Sequence, residues 1–278
     1  NGAYQLAYED ANQATVLLPY SPLAHYYRAE SLLGLKDYKE AEKSIMKAMN
    51  LDVNYVPTYL AAGRISLERG NLEQALDLLA RYGEHASSKP WEFYYALGKA
   101  YFLSGEDLIR GLELVNEALA RGGSSKDLYL IRALIQRELG DLNAAISDLL
   151  QARSIDRLDF EVHLTLGRVL FESEDNFASL VYLNISEDLA FTDAEMAQVY
   201  YWRAQVLEAS DRLEESLANW EALLSLPLED VPDEWEEIAA VKLLPTATPT
   251  PTMTSTPTIT PTFTPSPTPS PTIAPTEG

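Results

Sequence analysis

The chain has 278 residues, no cysteine, and 42 acidic against 21 basic side chains, for a formal net charge of −21. Such an acidic balance argues against binding to nucleic acid or to an anionic membrane surface, because both need a basic face. A sequence without cysteine has no disulfide, no thiolate metal site and no cysteine nucleophile. No run approaches the roughly 18 apolar residues of a membrane span. The chain begins at Asn1 with no basic and then apolar leader, so we expect a processed or excised segment.

The first predicted element is a single helix in residues 1–21. The stretch "QLAYEDANQATVLLP" places Ala7, Ala14 and Pro19 at the spacing of the second helix of a helical hairpin. The first helix of that hairpin is missing from the sequence. We therefore interpret this segment as half of a structural unit.

Six similar units follow in residues 22–231, and each predicts two helices joined by a short turn. The turn signals recur every 34 to 36 residues as "LKDY", "RGNL", "SGED", "LGDL", "SEDNF" and "ASDRL". Small residues recur in the second helices, where two helices must approach closely, among them Ala41, Ala75 and Ala145. Self-similarity at this period indicates stacked supersecondary units. The predicted units are 22–55, 56–90, 91–125, 126–159, 160–196 and 197–231.

The repeated pattern resembles the tetratricopeptide repeat, whose first helix reads W-x2-L-G-x2-Y and whose second reads A-x3-F-x2-A. The aromatic position of the first helix is filled by His25, Tyr59, Tyr94, Tyr129, His163 and Tyr200. The third unit has one extra turn residue and Gly111 at the small position, and the fifth has Ser179 and Ser186 where alanine is usual. The resemblance covers about residues 4–244. It implies an all-α fold, a right-handed α-solenoid of helix–turn–helix repeats.

One more helix is predicted in residues 232–244. The stretch "PDEWEEIAAVKLL" places Trp235, Ile238 and Ala239 at the spacing of a first helix, and no second helix follows. Acidic residues in its first turn and Lys242 near its end suit the helix dipole. The body therefore reads as half a repeat, six repeats and the complementary half.

The last segment, residues 245–278, is rich in threonine and proline and is called the tail below. From Thr246 to Thr276 every even-numbered residue is Thr or Ser except Ala274, and every tail proline has an odd number. Proline removes backbone donors and favours extended geometry in the preceding residue, so neither a helix nor an interior strand is expected. The predicted conformer is polyproline II, about 105 Å long at ~3.1 Å per residue.

The composition of the tail favours dense O-glycosylation over a bare spacer. The candidate acceptors are Thr246, Thr248, Thr250, Thr252, Thr254, Thr256, Thr258, Thr260, Thr262, Thr264, Ser266, Thr268, Ser270, Thr272 and Thr276. Both interpretations favour an extracellular or cell-surface location, and the whole pattern is similar to secreted bacterial cell-surface proteins with these repeats. Asn184 begins an N-x-S sequon. Because it lies inside a predicted helix, we expect it to remain unmodified.

The resemblance also implies a concave face lined by the first helices, where a peptide would bind. The candidate groove residues are Tyr26, Arg64, Tyr95, Lys99, Phe102, Arg168, Phe171 and Tyr201. Arg64, Lys99 and Arg168 would form a broken cationic line between aromatic side chains, which suits extended proline-rich peptides. Under the alternative interpretation several of these aromatic residues pack between neighbouring repeats.

Catalytic and metal sites have little support in the sequence. His25 and His163 occupy the aromatic packing position and His85 lies in a polar loop, without the spacing of metal ligands. No nucleophile elbow, Walker loop or dinucleotide-binding glycine motif is present in the sequence. Acidic residues between 229 and 237 suggest at most weak calcium binding, and a solvated helix start explains them better. We expect no cofactor other than covalent glycans.

Two functional hypotheses follow, and an enzyme is a remote third. In the first, unmatched half repeats stack head to tail between copies of the chain and build a filament. The assembly residues would be Leu6, Leu17, Leu18, Trp235, Ile238 and Leu243. In the second, the protein is a surface-tethered adaptor that holds a peptide or protein partner in its groove, with the tail as a spacer.

Overall fold

A computed structural model describes residues 2–244, and this range contains fourteen α-helices, one short 3-10 helix and no strand. The helices are α1 (Gly2–Leu17), α2 (Pro22–Gly34), α3 (Tyr38–Leu51), α4 (Pro57–Glu68), α5 (Leu72–His85), α6 (Trp91–Ser104), α7 (Leu108–Ala120), α8 (Lys126–Glu138), α9 (Leu142–Ile155), α10 (Phe160–Glu172), α11 (Asn176–Leu189), α12 (Asp193–Ala209), α13 (Leu213–Leu224) and α14 (Asp233–Lys242). The all-α solenoid fold is confirmed. Even-numbered helices are first helices and odd-numbered ones are second helices.

Short polar side chains start most of these helices. Asp37, Asp107 and Asp141 each accept a hydrogen bond from a backbone N–H in the first turn of a second helix. Such caps satisfy donors that have no partner inside the helix. Pro22 and Pro57 stand at the first helical position, where proline loses no hydrogen bond. The turn signals of the sequence therefore coincide with helix starts.

Each first helix packs closely against its second helix through a small residue. An added Cβ would lie 2.9 Å from Leu79 at Gly63, 2.6 Å from Val115 at Gly98 and 2.8 Å from Leu183 at Gly167. A side chain at any of these points would force the contacting residue of the neighbouring helix to shift. The recurring small residue of each first helix is therefore explained by close helix contact.

The serines of the fifth repeat fit the same packing. Ser179 is fully buried and its hydroxyl donates to the carbonyl oxygen of Gly167 at 2.7 Å. Ser216 makes the equivalent bond to Ala204 at 2.9 Å in the sixth repeat. A hydroxyl at the small position is thus satisfied by the partner helix.

Arginine bridges fix the place of α1 in the stack. Arg132 of α8 binds Asn116 of the preceding second helix and Asp148 of the following one. Arg28 of α2 binds Asn12 of α1 and Ser44 of α3 in the same register, sixteen residues to each side. Arg203 binds Glu187 at the equivalent position. Helix α1 therefore occupies the position of a second helix.

None of the helices within residues 2–244 combines the length and the apolar character that crossing a membrane requires.

Candidate interaction surface

The first helices form one continuous face of the described body. Helix α2 contacts α4, α4 contacts α6, α6 contacts α8, and α10 contacts α12. Because first helices of successive repeats meet in this way, they line the inner, concave side of the stack. The eight predicted groove residues all lie on these helices: Tyr26 on α2, Arg64 on α4, Tyr95, Lys99 and Phe102 on α6, Arg168 and Phe171 on α10, and Tyr201 on α12.

The N-terminal half of this face contains a cavity of about 360 Å³. Three of the predicted groove residues, Arg64, Tyr95 and Lys99, lie in its wall. The wall also contains residues that were not among the predicted groove residues: Tyr4, Lys36, Tyr38, Glu68, Lys126 and Asp127. These come from α1, from the turn before α3 and the first residue of α3, from the end of α4 and from the start of α8, so the first and fourth repeats face each other across the cavity.

Two of the three residues of the predicted broken cationic line, Arg64 and Lys99, are paired with carboxylates. Arg64 Nη1 lies 3.2 Å from a carboxylate oxygen of Glu30, and Lys99 Nζ lies 2.6 Å from Glu68. Each partner stands on the preceding first helix, about one repeat earlier in the chain. Lys242 with Glu208 repeats the arrangement, and Arg137 pairs in the opposite direction with Glu172 of the following first helix. The ion pairs join adjacent repeats along the concave face and neutralise most of its cations.

Lys126 connects the cavity to the fifth repeat. Its ammonium group contacts Asp127 at 3.2 Å and also binds Asp159, the N-cap of α10. Burial alone would raise the pKa of Asp159, but the hydrogen bond from Lys126 and a backbone bond outweigh it and lower that pKa. Asp159 therefore stays ionised and holds the starts of α8 and α10 together.

Tyr95 and Tyr38 give the cavity wall an aromatic and hydroxylic character. Burial, assisted by nearby carboxylates, raises the pKa of both phenols. Both phenols therefore stay protonated and keep an O–H donor over the physiological pH range.

Tyr4 closes the cavity at its N-terminal end. An added Cβ at Gly34 would lie 2.3 Å from Cδ1 of the Tyr4 ring. The ring can lie against α2 because this position has no side chain. A residue of α1 thus contributes to a surface otherwise built from the repeats.

The C-terminal half of the concave face is filled instead of hollow. Tyr201 and Trp235 stack with ring centroids 4.3 Å apart and planes 13° from parallel. The guanidinium of Arg168 lies 4.7 Å from the centroid of the Trp202 ring, and its buried Nε has no hydrogen-bond partner among the described residues. Phe171 packs against the core of the fifth and sixth repeats. These aromatic side chains serve inter-repeat packing, as the alternative interpretation holds.

Tyr26 and Phe102 also lie outside the cavity wall. Tyr26 packs edge to face with Tyr55, at a centroid distance of 5.6 Å. Phe102 packs against the core of the third and fourth repeats. Five of the eight predicted groove residues therefore do not contribute to the cavity.

The predicted assembly residues behave differently at the two ends. At α1, Leu6, Leu17 and the following Leu18 are exposed, with 60 to 70% of their surface accessible. At α14, Trp235, Ile238 and Leu243 pack onto the core formed with α12 and α13. The prediction that these three residues face outward as an interface is therefore wrong. The apolar stripe of α14 packs back onto the preceding hairpin, α12 and α13.

The remaining predicted sites are the N-glycosylation sequon, the O-glycosylation candidates, the acidic residues near α14 and the histidines. Asn184 is exposed on α11, but Ser186 of its sequon is fully buried and bonded to the Tyr182 carbonyl oxygen. All fifteen O-glycosylation candidates lie outside the described residues. Across residues 2–244 the acidic residues near α14 do not come together, with other possible ligands, into a group that could hold a metal ion. His163 is buried and bonded to the Asp159 carbonyl oxygen.

Comparison with known proteins supports the repeat assignment. A family model described as "Tetratricopeptide repeat" matches residues 24–55 and 127–157, which fall in the first and fourth repeats. Among curated proteins, no sequence matches the chain. The chain thus contains tetratricopeptide repeats, recognisable individually in two of the six units.

Solved structures are similar in fold. The APC/C hetero-tetramer Cut9–Hcn1 matches with a TM-score of 0.73 at 15% identity, over 87% of this chain and 46% of that one. Pseudomonas aeruginosa PilF matches at 0.60 and 12%, over 79% and 97%. The type IV pilus biogenesis factor PilW matches at 0.62 and 13%, over 78% and 97%. This chain spans less than half of the first structure, and the likeness shows the tetratricopeptide solenoid fold.

Proposed function

We propose that this protein is a non-enzymatic scaffold that binds a segment of a partner protein on the concave face of its first four repeats. The cavity between α2, α4, α6 and the start of α8 carries this proposal. Its volume of about 360 Å³ lies within the range of ligand pockets. Its wall combines phenol rings with charged groups, which suits a peptide side chain better than a purely apolar ligand.

The test is selection of random displayed peptides on the purified protein. We expect enrichment of peptides on the wild type and its loss on the double variant Tyr95→Ala, Lys99→Ala. The matched control is Phe177→Ala with Lys47→Ala, an exposed aromatic residue and an exposed lysine on second helices. Circular dichroism would check that both variants fold. No enrichment on the wild type, or equal enrichment on the groove variant, would contradict the proposal.

Self-assembly is a second proposal, favoured by the exposed apolar face of α1. On α1, Leu6, Val16 and Leu17 expose 65, 74 and 70% of their surface. Large exposed apolar patches mark interaction sites. The proposed occupant is α14 of a second copy, which would pack against α1 as a first helix packs against its second helix and extend the stack into a filament. This occupant would use the outer side of α14, where Val241 is exposed.

Light scattering over a range of protein concentrations tests self-assembly. The mass should rise with concentration in the wild type and stay monomeric in Leu17→Glu. Leu213→Glu, at an exposed position of α13, is the control that should still assemble. A wild type that remains monomeric at all concentrations would exclude the filament.

The tail and the location of the protein are proposals from the sequence alone. An extracellular or cell-surface position with an O-glycosylated tail fits the alternation of hydroxyl and proline residues. Mass spectrometry of tail peptides from the native protein should show sugar-sized mass additions. Unmodified tail peptides would leave a bare spacer.

A further inference from the structure

The turn position held by Lys36 in the first repeat is glycine in the second and fourth repeats, and Glu174 or Asp211 in the fifth and sixth. Lys36 adopts a φ of 64°, and Gly70 and Gly140 adopt 76° and 84° at the same position of their turns. In each turn this residue donates its N–H to the carbonyl oxygen three residues earlier. A side chain in the left-handed region costs stability relative to glycine. The position therefore favours glycine on backbone grounds, and Lys36 departs from that preference.

The side chain of Lys36 lies in the wall of the cavity. The other three cations of that wall are paired with carboxylates: Arg64 with Glu30, Lys99 with Glu68, and Lys126 with Asp127 and Asp159. Within residues 2–244 Lys36 forms no ion pair. An exposed lysine without an ion pair in that range thus borders the cavity, in a protein whose net charge is −21, and its charge also helps to lower the pKa of Asp159.

The surroundings of Lys36 add hydrogen-bond donors. Tyr38 and Tyr95 line the same cavity, and their protonated phenols can each donate one bond to an anionic oxygen. Lys126 adds a second ammonium group to the wall, and this group is already paired with Asp127 and Asp159. Charge-assisted bonds of this kind are about twice as strong as bonds between neutral groups.

We propose that the cavity binds an anionic group of the partner, a side-chain carboxylate or a phosphoryl group, with Lys36 as the principal cation and Tyr38 and Tyr95 as donors. This inference rests on the proposed function and names the chemistry recognised at the same site. The partner segment is otherwise neutral. The acidic body repels a strongly acidic segment. A single anionic group is instead attracted by the cations of the cavity, because charges interact mainly within ~8 Å at physiological salt.

The probe is an array of synthetic peptides that share a set of neutral flanking sequences and differ in one central pair. The pair is glutamate, phosphoserine, glutamine or lysine. Glutamate or phosphoserine peptides should bind at least about tenfold more tightly than their glutamine twins, the ratio expected for a charge-assisted bond of ~1.5 kcal/mol. Preference for phosphoserine over glutamate assigns the phosphoryl group, and preference for glutamate assigns the carboxylate.

The decisive variant is Lys36→Gly, because glycine suits the backbone of this turn. It should bind the anionic peptides about tenfold more weakly than the wild type while melting at the same or a higher temperature. Glu174→Gly is the matched control, since Glu174 holds the equivalent turn position in the fifth repeat with a φ of 66° and is not part of the cavity wall. It should melt higher and bind like the wild type.

Equal binding of glutamine and glutamate peptides would overturn the inference, and so would unchanged binding by Lys36→Gly or the absence of binding to every peptide. These failures are distinguishable from failure of the proposed function. If displayed peptides are enriched on the wild type through Tyr95 and Lys99 but carry no anionic residue, the scaffold function stands and the anion site does not.

Discussion

The two halves of the concave face use similar residues for different purposes. Between the first and fourth repeats, phenol and ammonium groups surround a cavity. In the fifth and sixth repeats, aromatic rings occupy the corresponding space, and Trp235 of α14 stacks on Tyr201. An aromatic residue on a first helix therefore does not by itself indicate a binding groove. Whether it lines a cavity depends on what the next helix places against it.

The largest effect is expected where the face is filled. Trp235→Ala should lower the free energy of unfolding by about 3 kcal/mol, near the lower end for loss of a large aromatic residue, because Trp235 is partly exposed. Urea unfolding at constant protein concentration measures this change. Tyr4→Ala is the control at the other end, and its effect should be much smaller because half of the Tyr4 surface is accessible. Equal losses for the two variants would contradict the difference between the halves.

The junction of the two halves should depend on pH through Asp159. Asp159→Asn keeps a cap on α10 but removes the charge that binds Lys126, so it should cost about 1.5 kcal/mol at neutral pH. Because the pKa of Asp159 lies below its ordinary 3.8, the folded state binds fewer protons than the unfolded state. The stabilisation is fully present above pH 3.8 and is lost as the pH falls through the folded value.

Urea unfolding of both proteins from acid to neutral pH tests this prediction. The difference between wild type and Asp159→Asn should be constant near neutrality and shrink towards zero in acid. A difference that is independent of pH, or that grows in acid, would contradict the role given to the Lys126–Asp159 pair.

A smaller effect on stability is expected at two equivalent turns, one in each half of the body. Lys36→Gly and Glu174→Gly should each raise the free energy of unfolding by about 1 kcal/mol, since glycine adopts the left-handed conformation without steric cost. Thermal unfolding measures both. If Lys36→Gly is destabilising while Glu174→Gly is not, the ammonium group of Lys36 makes a structural contribution, and its assignment to binding would be weakened.

The smallest effect on stability is expected at the N-terminal wall. Gly34→Ala should change the free energy of unfolding by no more than about 0.5 kcal/mol, because a better helix former is offset by displacement of the Tyr4 ring. Hydrogen exchange should nevertheless become faster in α1, whose one buried side chain is Ala11. Unchanged exchange in α1 would mean that Tyr4 does not hold this helix against α2.

The fold could be predicted because its determinants repeat. Turn residues, caps and small contact positions recur with the period of the unit, so each repeat supports the assignment of the others. The ion pairs had a usable signal as well: Glu30 and Arg64 stand one period apart on neighbouring first helices. Oppositely charged residues at that spacing on inward positions predict a pair and not a free cation.

The cavity could not be predicted from the repeat period of the sequence. Lys36 and Lys126 are three repeats apart, and they face each other only because of the curvature of the stack. Tyr4 belongs to a helix outside the six repeats, and its position depends on the missing side chain at Gly34. The inward packing of Trp235 was likewise invisible, because a sequence pattern marks an apolar stripe without showing which neighbour it covers.

Hydrogen–deuterium exchange of the full chain, with and without a peptide obtained by selection on the wild type, tests the central claim most directly. We expect slower exchange in α2, α4, α6, the turn containing Lys36 and the start of α8, with α12 and α14 unchanged. Protection confined to the fifth and sixth repeats or to the second helices would contradict it, because the partner would then bind outside the cavity.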